Sequence, residues 1–149
     1  MGAAVASGTE YAPPPEGFVG KLGTCIGADA TRKGRCEYSI GIVEDDAHVP
    51  KVAYGARLLG HDRSMRAKWE VLGRFDIPPL AEGYTLSYGS CSVDGIEDST
   101  VIAAVRYVAG RQWLGEALWA KRFVISSGTW SDVEPGSVRC INEGFGGDT

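Results

Sequence analysis

His48 and His61 are the only imidazoles in the chain. His61 precedes Asp62, so a His–Asp pair for acid–base work is conceivable there. Nothing marks a nucleophile to go with it, because the sequence contains no GxSxG, Walker loop or HExxH. Paired carboxylates hydrolyse glycosides, and Glu70, Asp76, Glu82, Glu97, Asp98, Glu116 and Asp132 are candidates. No spacing selects two of them. An imidazole in an exposed turn is usually only solvated, and acids of this kind are mostly surface charges. No residue is therefore assigned a catalytic role.

The four cysteines, Cys25, Cys36, Cys91 and Cys140, form no CxxC, and histidine is scarce. That spacing disfavours a structural zinc site. An even count without metal spacing suggests two disulfides in an oxidising compartment. Three pairings are open. Cys25 with Cys36 is the local option, and Cys91 with Cys140 would then go together. Glu44-Asp45-Asp46 puts three acids in a loop, but a calcium loop spreads its acids at alternate positions around a Gly. A solvated turn is expected instead, and neither a metal nor a cofactor is called for.

Binding chemistry has more candidates. The Lys51–Arg74 segment carries six basic residues against Asp62 and Glu70, a local +4, around Trp69. Such interleaving suits single-stranded nucleic acid or an acidic protein. Packing of Trp69 in the core, with the bases on the outer face, is the simpler reading, so nucleic acid is not expected as a partner. Tyr107, Trp113, Trp119 and Trp130 offer rings for a sugar platform or a protein interface. Turns adjoining strands display their side chains. The expected binding residues are therefore Trp113, Arg111, His61, Arg63 and Trp130.

The elements that would position these residues read as strands. Val101–Val108 alternates around Ala103 and Val105, with both faces mostly apolar, as in a strand buried on both sides. The same residues fit one helix face, but the β-branched content and the Gly at each break favour a hairpin with Trp113–Ile125. A weaker echo lies upstream at Val52–Ile77. Each stretch has Val, Ala, Arg, a Gly turn, a Trp-bearing strand and an Arg-Phe pair, and a Cys follows each. A period of roughly fifty residues suits a repeated supersecondary unit, and this one would divide the chain at about 34–91 and 89–140.

Residues 1–17 read as a flexible Pro-rich lead, with Pro13-Pro14-Pro15 a stiff spacer. Strands are then expected at Phe18–Ile26, Cys36–Ile42, Val49–Gly60 and Ala67–Ile77. The last should carry Trp69, Val71, Phe75 and Ile77 on one face and Glu70, Arg74 and Asp76 on the other. A strand from Tyr84 runs through Cys91 to a turn at Asp94-Gly95, and short strands follow at Thr129–Val133 and around Val138 and Cys140. About nine strands joined by short turns make an all-β, mostly antiparallel meander. It would form a barrel, a sandwich or two blades from residues 18–149.

A chain of 149 residues can bury one sizeable core. Its 21 glycines argue for turns and against a helical bundle. A net charge of −4 gives no general pull on nucleic acid or anionic lipid. No apolar run approaches a membrane span. The first eight residues have neither the basic start nor the long apolar region of an intact signal peptide.

These features together predict a periplasmic or secreted protein that binds and does not catalyse. An inhibitor or immunity-type module, occluding another protein such as an enzyme or toxin, comes first. A lectin with one glycan site per repeat comes second, and a small hydrolase using His61 with a carboxylate third.

Overall fold

The computed structural model describes residues 19–20, 24–27, 30, 36–61, 63–65 and 67–143. The lead at 1–17 lies outside them. Among the described residues the protein is all-β, with thirteen strands in three antiparallel sheets and no α-helix. None of the sheets closes into a barrel. The strands outnumber the expected runs because Gly and positive-φ residues interrupt them. Gly89-Ser90 splits the Tyr84–Val93 run, and Glu116, at φ 53°, breaks Trp113–Ile125.

The chain divides into two compact units. The first takes the residues up to Pro79 together with Phe123–Trp130, and the second takes Leu80–Arg122 and the residues from Ser131 onward.

In the first unit, β1 (Val19–Gly20) and β2 (Thr24–Ile26) pair with β3 (Tyr38–Glu44). β3, β4 (Pro50–His61) and β5 (Ala67–Asp76) then run as a meander. Alternation sorts this sheet into two apolar faces. One carries Ile40, Ile42 and Ala53, all fully buried. The same face carries Gly55, over which the Phe123 ring lies so closely that a Cβ there would sit 2.2 Å from it. The other face gathers Val43, Val52 and Val71 with Tyr54.

The ladder from β4 to β5 corrects one expectation. Trp69 stands opposite Leu58 and Val71 opposite Ala56, but Phe75 stands opposite Ala53. Residues 53 and 56 point to opposite faces, so Phe75 does not share a face with Trp69 and Val71. The cause is a register irregularity between Gly55 and Ala56 that leaves Leu72 as an extra residue on β5. A single added residue flips everything beyond it. Val71 therefore shares its face with Arg74, and Phe75 shares its face with Glu70.

The second unit contains the sheet β10 (Trp113–Leu114), β13 (Val138–Ile141), β7 (Cys91–Val93) and β8 (Ile96–Glu97), in that order. Another sheet runs β12 (Thr129–Asp132), β11 (Trp119–Val124), β9 (Val101–Arg106) and β6 (Tyr84–Tyr88), with β11 continuing into the first unit. Cys91, Leu114, Val138 and Cys140 from one sheet and Val101, Ala103, Val105 and Ala120 from the other form a single cluster. The two sheets thus share one apolar layer. Val101 to Val105 are buried on both faces, as alternation in β9 implied.

The echoing stretches both lie on antiparallel ladders, β4–β5 and β9–β11. In the first Arg74 faces Tyr54, and in the second Arg122 faces Val101.

Candidate functional site

Cys91 and Cys140 are bonded and stand directly opposite each other in the β7–β13 ladder. Their opposition fixes what lies on the other face of that sheet. Leu114, Cys140, Cys91 and Val138 point inward and are buried. Their neighbours along each strand point outward: Trp113 beside Ile141, then Arg139 beside Ser92 and Glu97. Trp113 and Ile141 are each 39% exposed and put two large apolar side chains in one row.

Two turns close a pocket of ≈ 340 Å³ over this outer face. One is the Asp94-Gly95 connection between β7 and β8. Val93 pairs with Ile96, so the loop has only these two residues, both at positive φ (51° and 81°). That is the Asp-Gly hairpin turn whose twist matches the flanking strands. The other is the 3-10 turn Pro135–Ser137, in which the Ser137 hydroxyl and amide both donate to the Glu134 carbonyl. The Asp94 amide donates to the Ser137 carbonyl at 2.9 Å and ties the two turns together. Ser92, Asp94, Trp113 and Arg139 supply the pocket's hydroxyl, carboxylate, indole and guanidinium.

Several charges elsewhere on the fold are paired. Arg57–Glu70, Arg74–Asp76, Arg106–Glu116, Lys121–Asp132 and Arg122–Asp98 are ion pairs. Among the described residues Asp94 and Arg139 have no such partner, and neither Ser92 nor the Trp113 indole has a side-chain hydrogen bond. A concave surface thus gathers polar side chains that no described residue pairs.

Asn142 holds the approach to Trp113. It is 5% exposed, and its amide nitrogen donates to the carbonyls of Arg111 (2.9 Å) and Val108 (3.5 Å). Its backbone amide donates to the Gln112 carbonyl. The loop carrying Arg111 and Trp113 is therefore pinned to the end of β13.

The five expected binding residues separate by unit. Trp113 lines the pocket and Arg111 is exposed just before it. His61, at the end of β4, and Arg63, in the turn after it, are exposed in the first unit. Trp130 is half-buried, with ring centroids 5.5 Å from Phe123 and 6.1 Å from Phe75. Its indole nitrogen donates to the Gly73 carbonyl at 3.4 Å.

Cys36 is disulfide-bonded as well, but the side chain of Cys25, and with it the expected Cys25–Cys36 pairing, lies outside the described residues. So does Asp62, and hence the His61–Asp62 pair. Of the candidate carboxylates, Glu70, Asp76, Asp98, Glu116 and Asp132 each meet a cation.

Ser92, Asp94, Arg139 and Asn142 are functional candidates that sequence reasoning did not name. A signal existed for two of them: once Cys91 is set opposite Cys140, antiparallel pairing puts Ser92 opposite Arg139. Asn142 had none. No protein-family model matches the chain, and comparison with curated proteins and with solved structures finds no match either.

Proposed function

We propose that the chain is an exported, non-enzymatic binding protein that grips another protein with the outer face of the β10–β13–β7–β8 sheet. The observation that carries this reading is the exposed Trp113–Ile141 row beside two charges, Asp94 and Arg139, that have no ion-pair partner among the described residues. Trp and Arg dominate the energetics of protein interfaces, and an unpaired charge beside an apolar row gains most from a counter-charge on a partner. Preorganisation supports the same reading. The disulfide braces the strands beneath the site and Asn142 pins its entrance, so little ordering entropy is lost on association. A disulfide persists in the periplasm or outside the cell and is reduced in the cytosol. Occlusion of an enzyme or toxin, in the manner of an inhibitor or immunity protein, is the mode proposed.

The test is affinity capture from periplasmic and secreted fractions with the wild type and with Trp113→Ala. The wild type should retain a partner that the variant binds at least about thirtyfold more weakly, as expected for a hot-spot aromatic. Arg139→Glu should weaken the same partner. Equal retention by all three proteins would refute the assignment of this face.

A further inference from the structure

We propose that the first unit carries a separate binding site for a neutral sugar, between the Tyr38–Arg57–Glu70 row and the Ile125–Gly128 turn. Cross-strand pairing sets Tyr38 beside Arg57 and Arg57 beside Glu70, so the three side chains share one face of β3, β4 and β5. The same irregularity that flips β5 leaves Leu72 at the edge of this row. The turn is seated directly on the sheet: a Cβ on Gly73 would lie 2.4 Å from the Gly128 carbonyl oxygen, and one on Gly128 would lie 3.0 Å from the Leu72 Cβ. The amides of Ser127 and Gly128 both donate to the Val124 carbonyl, which fixes the turn's shape. A pocket of ≈ 400 Å³ lies between turn and row. A second depression of ≈ 290 Å³ shares Tyr38 and Arg57 with it and runs on to Glu37 and Leu58. The ≈ 400 Å³ pocket is in the size range of small-ligand sites.

The chemistry selects the ligand. Arg57 and Glu70 are the charged side chains lining the ≈ 400 Å³ pocket, and they form an ion pair, so the charges there compensate each other. An anion would meet Glu70 and a cation would meet Arg57, and neither gains net attraction. A vicinal diol accepts from the guanidinium with one hydroxyl and donates to the carboxylate with the other, and it leaves the pair intact. The Tyr38 hydroxyl and the Ser126 hydroxyl, which have no partner among the described residues, add further polar contacts. Leu72, Ile125 and the Tyr38 ring give the apolar wall that a sugar's C–H face requires. The outer face in the second unit differs, since among the described residues its Asp94 and Arg139 form no ion pair.

The experiment is an amide-resolved NMR titration of the full chain with glucose, galactose, mannose and N-acetylglucosamine, and with cellobiose and maltose. At least one sugar should give saturable shifts confined to Tyr38, Arg57, Glu70 and Ser126–Gly128. Glu70→Gln removes the charged acceptor and should weaken binding by about tenfold or more. Trp113→Ala should leave the titration unchanged, which separates this site from the protein-binding face. No saturable shift with any sugar, shifts mapping to the second unit, or undiminished binding by a folded Glu70→Gln variant would each overturn the proposal. Should Glu70→Gln not fold, the map of shifts in the wild type decides alone.

Discussion

At the residue scale, the tightest constraint is Gly55. A Cβ placed there would stand 2.2 Å from the Phe123 ring, and that ring is itself packed against Trp130. Gly55→Ala should therefore overpack the face and cost about 1–3 kcal/mol. Urea unfolding should show this as a lower midpoint at unchanged slope. Gly115 is the control, because a Cβ there meets nothing closer than 3.8 Å and alanine should be nearly neutral. Asp45 gives a pH dependence. Its carboxylate accepts the Val49 and Ala47 amides at 3.0 and 2.9 Å, with Lys51 3.8 Å away. The Val49 hydrogen bond is the largest influence, and the carboxyl is held below its ordinary value even though desolvation acts the other way. A folded value below the unfolded one stabilises the protein above the unfolded pKa, and this contribution is lost as pH falls through the folded one. Asp45→Asn keeps an acceptor for the amides and removes the charge. The stability difference between wild type and variant should shrink as pH falls from about 5 to about 2, and a constant difference would show that the charge is not the cause.

At the element scale, the β7–β13 disulfide holds the candidate site together from beneath. It joins residues 49 apart in sequence, so its loss frees a long loop in the unfolded chain. Replacing both Cys91 and Cys140 with Ser should cost about 2–5 kcal/mol in chemical unfolding. Unchanged stability in the double variant would contradict a bracing role. Strand positions were largely legible in the sequence, because β-branched alternation and Gly turns are local signals: Ala67–Asp76 and the Asp94-Gly95 hairpin lie where they were expected. Facing was less so. The extra residue at Leu72 is a property of the pairing with β4, and nothing local to β5 announces it, so strict alternation assigns Phe75 to the wrong face. The break at Glu116 is of the same kind. There the chain leaves one sheet for another, with the Arg106 amide bonded to Gly115 and the Leu118 amide to Ala104. Trp113 was legible as a ring beside a turn. Its pocket neighbours Asp94 and Arg139 needed the register that the disulfide supplies.

At the scale of the whole molecule, the first unit is discontinuous in sequence. Phe123–Trp130 returns to it across the forty-three residues from Leu80 to Arg122. No local pattern encodes such a return, because it depends on what Gly55 and Gly73 leave open. The segment brings Phe123, 1% exposed, and the Trp130 indole bonded to Gly73. Without it, Ile40, Ile42 and Ala53 would lose the aromatic cover on their face. Forgoing the burial of a Phe and a Trp costs several kcal/mol, a large share of the roughly 5–15 kcal/mol that holds a domain folded. Residues 1–79 expressed alone should therefore lack a cooperative thermal transition and show poor amide dispersion. Joining residues 123–130 to that fragment through a flexible Gly/Ser linker should restore both. A sharp transition in residues 1–79 alone would mean that the sheet is stable without its aromatic cover, and that Phe123 follows the first unit without holding it.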